Sequence, residues 1–180
     1  LFMRAKKNDH IECAMIAAKS RVAPLKPLSI PRLELCAAHI LSELVRTFLE
    51  AVKLRNSRVT LWTDSQIVLA WLKKDPGLLK TFVNNRVQNI HRTAPQAEWN
   101  VPSADNPADI LSRGAFPKEL MSASLWWKGP PWLSRSQDNW PNTASKINDA
   151  LKFEIEREEK KKKNEGKIRT KYKQIEIYSL

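Results

Sequence analysis

The sequence predicts an α/β fold, and three stretches carry that prediction. Residues 1–6 and roughly 10–19 run or alternate apolar around Lys6, Lys7, Asn8 and Asp9, which is the pattern of a β-hairpin. After Pro31, Glu34, Ala37, Leu41, Leu44 and Phe48 recur at alternating spacings of three and four, flanked by Leu33, Ile40 and Val45, which is the period of a helix with one core-facing side. Residues 58–62 (RVTLW) then make a short buried strand, and SQIVLAWLKK returns to the helical period.

Each boundary has a local cause. VAPLKPLSIP holds three prolines in ten residues and reads as a loop. Pro31 suits the first helical position, where its missing N–H would have had no partner anyway. Asp75, Pro76 and Gly77 stop the SQIVLAWLKK helix. FVNNRVQNIHRTA is a further helix with Phe82, Val83, Val87 and Ile90 on one face and Arg86 and Arg92 off it. AEWNVP is a second strand, and NPADILSRG a short capped helix stopped by Gly114. From about residue 120 the texture changes. LWWKGPPWL sets three of the seven tryptophans beside Gly and Pro, a composition expected of neither a helix nor a strand core. Residues 142–180 become charged and low in complexity, a tail with a solvated helix over 146–163. The expected division is a domain over 1–116, a Trp/Pro-rich connector over 117–141 and a tail over 142–180.

Lys and Arg outnumber Asp and Glu by 31 to 19, a formal charge of +12. That excess favours polyanions, nucleic acid before anionic membrane. No apolar run reaches the roughly 18 residues of a bilayer span, and the first twenty residues lack the order of a signal peptide. Cys13 and Cys36 lack a CxxC partner, and His10, His39 and His91 are scattered, so no zinc pattern exists. Both cysteines read as reduced, in a cytoplasmic or nuclear protein.

Three carboxylates stand out. Glu34 lies one turn into its helix on the apolar seam, Asp64 ends a buried strand, and Asp109 follows Asn106 into a short helix. Each has a local explanation: an acid in a first turn suits the macrodipole, Asp64 can serve as an N-cap, and Asp109 as a capping-box acid. Taken together they can also converge on one pocket. Oxygen-only ligands suit magnesium or manganese, and two such ions about 3.5–4 Å apart clamp the two oxygens of a phosphodiester displacement. That reading requires the three carboxyls to gather within roughly 4–8 Å.

The strings AAKSRVAPLKPLSIPRLELCAA, VTLWTDSQIVLAWL, FVNNRVQNI, WNVPSADNPADILSRG and LWWKGPPWL, in this order, resemble the ribonuclease H-like region of BEL/Pao-type LTR retrotransposon polyproteins over about residues 1–141. The resemblance implies a mixed sheet flanked by helices, followed by the connector that precedes integrase in such elements. It implies a hydrolase that cuts the RNA strand of RNA–DNA hybrids with two Mg²⁺ (or Mn²⁺) ions held by four carboxylates. Glu34, Asp64 and Asp109 match three of them by motif. The fourth lies on a central strand just before the one matching LFMRAK, and this sequence begins after it, so a weak or inactive nuclease is expected. The family's frequent histidine before the last aspartate is also replaced, by Ser103, Ala104 and Asp105.

Ser65, Lys73, Lys74, Arg86, Asn106 and Arg113, with Lys80 and Arg92, are the candidate nucleic-acid contacts. The implied partners are RNA–DNA hybrid and the parent polyprotein or its reverse transcriptase segment. The alternatives are a non-catalytic nucleic-acid-binding remnant or host-recruited module and, from the shared fold, an integrase-type DDE enzyme.

Overall fold

The computed structural model describes residues 1–8, 10–54, 57–101, 105–141 and 149–160. β1 (Phe2–Lys7) and β2 (His10–Met15) form the expected antiparallel hairpin, in register from Phe2 opposite Met15 to Lys7 opposite His10. Asn8 turns the chain at φ 55°, a left-handed conformation that Asn tolerates better than most residues. The pairing runs one step further, where Ile16 N donates to Leu1 O at 2.9 Å. Along β2, exposed His10, Glu12 and Ala14 alternate with half-buried Ile11, Cys13 and Met15, so one face only is covered.

α1 (Ile30–Val52) starts with Pro31 in its first turn and ends at Lys53, whose φ of 57° turns its N–H back to the Leu49 and Glu50 carbonyls. Its buried line is Leu35, Ala38, Ser42 and Val45. The core-facing side is therefore turned by one residue from the expected row; Ala37 is exposed, while Glu34, Leu41, Leu44 and Phe48 are half-buried. The reason is close approach. Ala38 and Ser42 are small, and α3 (Thr81–Thr93) packs against α1 along them. Ser42, fully buried, donates to His39 O at 2.8 Å and accepts from Thr93 Oγ1 at 2.9 Å, so its hydroxyl is satisfied. Hydropathy ranks such a residue low, and only packing puts it inside.

β3 (Val59–Trp62) and β4 (Ala97–Asn100) pair in parallel, Val59 opposite Ala97 through Trp62 opposite Asn100. The crossover between them carries α2 (Gln66–Lys73), a 3₁₀ turn at Pro76–Leu78, and α3. A parallel pair needs such a crossover and cover on its faces. Val59 and Leu61 supply one apolar cluster with Val45, backed by Leu41 and Leu49. A second cluster joins Leu35 and Ala38 of α1 to Val68 and Trp71 of α2 and to Val83, Val87 and Ile90 of α3. Trp99 packs against both.

The hairpin and the β3–β4 pair are separate two-stranded sheets. What spans them is the Trp-rich stretch. It is more regular than its composition suggests: α4 (Ala108–Arg113) is followed by α5 (Pro117–Ser122), α6 (Ser124–Lys128) and 3₁₀ turns at Pro131–Ser134 and Gln137–Asn139. The stop that composition led us to expect throughout LWWKGPPWL falls only at Gly129, with φ 75°, where an added Cβ would lie 3.0 Å from Leu133 and 3.3 Å from Phe2. Trp62 of β3 meets Trp132 and Trp140 with ring centroids 5.2 and 5.3 Å apart. Arg4 of β1 stacks over Trp140 at 5.6 Å and donates to the Leu133 and Arg135 carbonyls at 2.9 and 3.0 Å. Hairpin and parallel pair are thus joined by side chains, not by backbone.

The expected solvated helix near the C-terminus is instead docked. α7 (Asp149–Arg157) packs on α2, with Leu151 and Ile155 one turn apart and Ile155 only 4% exposed. Beyond it the chain pairs with the 3₁₀ turn: Lys80 N donates to Glu158 O at 2.7 Å and Lys160 N to Leu78 O at 2.8 Å. The rest of the expected tail, residues 142–148 and 161–180, lies outside the described residues.

Two predictions follow from this packing. Trp71 is 1% exposed, and its Nε1 donates to Ile155 O at 3.4 Å. Trp71→Ala therefore costs about 3–5 kcal/mol in urea unfolding; a loss under about 1 kcal/mol would mean that this core is not formed as described. A double-mutant cycle of Arg4→Ala and Trp140→Ala gives a coupling of about 0.5–1 kcal/mol. Strict additivity would show that the stacking contributes nothing.

Candidate functional site

Asp64 stands exposed directly after β3, but it is not the cap of α2. Ser65 is: its Oγ accepts from Val68 N at 3.2 Å, and it is buried with a backbone N–H donated to Thr63 Oγ1. The local explanation for Asp64 thus falls to its neighbour, and Asp64 is left facing solvent. Asp109 sits in the first turn of α4, where Asn106 Oδ1 accepts from Ala108 N at 3.1 Å and Asn106 O from Asp109 N at 3.2 Å. The Asp109 carboxylate does not close a capping box. It pairs with Arg113 one turn on, at 3.2 Å. Glu34, half-buried, flanks the buried Leu35 in the first turns of α1.

Among the described residues, no three His, Cys, Asp or Glu side chains stand together so as to hold a metal ion. Glu34, Asp64 and Asp109 are all described and form no such group. Their oxygen donors have the right chemistry for magnesium, yet their arrangement does not fit it. Glu34 belongs to a helix packed on the helical core, Asp64 ends one strand of a two-stranded sheet, and Asp109 is engaged by a cation. No ladder bond draws these elements into one sheet among the described residues.

The candidate nucleic-acid contacts divide by what already holds them. Ser65 caps α2, and Asn106 closes a side-chain turn just before α4. Arg86 is half-buried between helices, stacked on Phe82 at 3.5 Å and donating to Cys36 Sγ at 3.2 Å and to Phe82 O at 3.1 Å. That makes it a packing residue as much as a charge. Lys74 is ion-paired with Glu159, Lys80 Nζ donates to Arg157 O at 2.6 Å, and Arg113 pairs with Asp109. Arg92 is exposed, with one bond to Asn89 at 2.9 Å. Lys73 is exposed at the end of α2 and borders an open groove of about 410 Å³, whose walls include Leu69, Leu72, His91 and Trp99. Sequence reasoning missed Arg32, whose guanidinium binds Glu158 through two bonds of 2.9 Å. The signal was the acidic run at 154–159, read as a solvated face rather than as a ligand for cations. On β2, burial raises the Cys13 thiol above its ordinary pKa, against a smaller opposing pull from Arg4.

A family model described as the Pao retrotransposon-like RNaseH-like domain matches residues 1–65, from the hairpin through α1 and β3 to the cap of α2. No curated protein and no solved structure matches the chain.

The caps give a test that separates Asp64 from Ser65. Ser65→Ala removes an N-cap bond and lowers stability by about 0.5–2 kcal/mol. Asp64→Asn, at an exposed position without a cap bond, changes it by less than about 0.5 kcal/mol. Equal losses in chemical denaturation would return the capping role to Asp64.

Proposed function

We propose, from the premise that residues 1–65 carry a BEL/Pao RNase H-like region, that these 180 residues bind nucleic acid in a retrotransposon-type polyprotein context and do not cut it by themselves. The observation that carries the binding is charge: +12 over 180 residues, with Lys73 and Arg92 exposed at the C-terminal ends of α2 and α3. Cations at helix C-termini are held favourably by the macrodipole, and they are the groups that release counterions from a phosphate backbone. RNA–DNA hybrid is the substrate class that the family context favours. No helix among the described residues is long and apolar enough to cross a membrane.

That the chain does not cut is part of the proposal, and arrangement supports it. Two-metal hydrolysis needs carboxylates converging on both ions, and here Asp109 is ion-paired with Arg113 at the surface. Glu34, Asp64 and Asp109 are read as members of such a carboxylate set. An integrase-type reading has no observation in its favour.

The test is binding and cleavage on one labelled RNA–DNA hybrid. Affinity falls steeply with salt, and Lys73→Ala with Arg92→Ala weakens binding about three- to tenfold and flattens the log–log salt dependence by about two. Asp64→Asn leaves binding unweakened, and magnesium or manganese produces no cleavage. Efficient magnesium-dependent cleavage by this chain would overturn the reading, as would affinity indifferent to salt.

A further inference from the structure

We propose that residues 149–160 form an internal acidic strap over a cationic surface made by Arg32, Lys74 and Lys80, and that nucleic-acid phosphate competes with the strap for those groups. The inference rests on the nucleic-acid reading above and adds a regulated surface to it.

The strap carries five acids against three bases, in a chain whose overall charge is strongly positive. Two of its acids meet cations from separate elements, and one of its carbonyls meets a third. Glu158 grips Arg32, in the first turn of α1, through two parallel bonds of 2.9 Å. That fork-to-fork geometry is also how guanidinium binds a phosphate. Glu159 pairs with Lys74 at the end of α2, and Lys80 Nζ, before α3, donates to Arg157 O. The carboxylate of Glu158 is 8% exposed and the Arg32 side chain 29%, so the strap and not water fills this position.

The apolar anchoring is slight by comparison. Ile155 is the one buried hydrophobic residue that α7 contributes, Leu151 is partly buried, and Phe153 points out at 66% exposure. Beside Ile155 and the backbone bonds to the 3₁₀ turn, charge-assisted contacts hold the segment, and those are the contacts a polyanion can replace, because phosphates supply the same acceptors and release counterions in addition. In the docked state three cations face carboxylate or carbonyl oxygen; on release the same three face solvent in one neighbourhood.

Two variants of the full chain separate this from a merely structural contact. Glu158→Gln with Glu159→Gln removes the competing charge, and Ile155→Ser loosens the strap without changing charge. Glu12→Gln with Glu43→Gln, on β2 and α1, controls for the altered net charge. Affinity for an RNA–DNA hybrid is expected to rise about tenfold at low salt in both strap variants, with a salt dependence steeper by about two to three, and little in the control. Equal gains in strap and control variants, or no gain in folded strap variants while the parent binds, overturn the strap. If neither parent nor variants bind, the nucleic-acid reading falls and the strap with it.

Amide exchange on the unsubstituted chain tests the same point where a variant fails to fold. Protection at Lys80 and Lys160, whose N–H groups bond the Glu158 and Leu78 carbonyls, is expected to drop when saturating hybrid is added. Retained protection in the bound chain overturns displacement.

Discussion

The rest of the structure depends on the packing of α1. Its 23 residues span roughly 35 Å at the rise of an α-helix, far enough to serve two cores in succession. The first half gives Leu35 and Ala38 to the cluster shared with α2, α3 and Ile155 of α7. The second gives Val45, with Leu41 and Leu49 beside it, to the cluster that covers β3 and β4. A parallel pair of four residues per strand has too few ladder bonds to persist uncovered. Without the second half of α1, Val59 and Leu61 would face water. Ser42 marks the change from one core to the other, and its small satisfied hydroxyl lets α3 come close at that point.

The same economy of backbone pairing explains the tryptophans. Two small sheets that share no ladder must be held by side chains, and large aromatic rings bury much area per residue. Trp62, Trp132 and Trp140 make that joint, and Arg4 ties the hairpin into it. A stretch that composition marks as irregular therefore holds the two sheets together.

The cations differ in what already holds them. Arg86 stacks between helices, and Arg32 and Lys74 pair with acids of the C-terminal segment; Arg113, paired with Asp109, stays exposed, as do Lys73 and Arg92. Net charge predicts affinity for polyanions, but the partners of each cation decide which of them a phosphate can reach. That distinction links the packing of α7 to any binding function.

The sequence by itself determined what depends on near neighbours along the chain. The hairpin at Asn8, the start of α1 at Pro31, the stops at Asp75–Pro76–Gly77 and Gly114, and the buried row Val83, Val87 and Ile90 all follow from turn chemistry and period, and all stand where expected. The family resemblance over residues 1–65 was legible in the same way, through short ordered strings. What only the tertiary structure decided depends on residues far apart. The buried face of α1 turned by one residue because α3 approaches over Ala38 and Ser42, and hydropathy carries no information about closeness. Ser65 rather than Asp64 took the cap, because it is the Ser65 hydroxyl that stands within reach of Val68 N. The 149–160 segment docked because its acids meet Arg32 and Lys74, more than eighty residues away, whereas read alone the same acids mark a solvated helix. Whether Glu34, Asp64 and Asp109 meet is of the same kind: spacing offers the carboxylates, and only the sheet that would align their elements can bring them together.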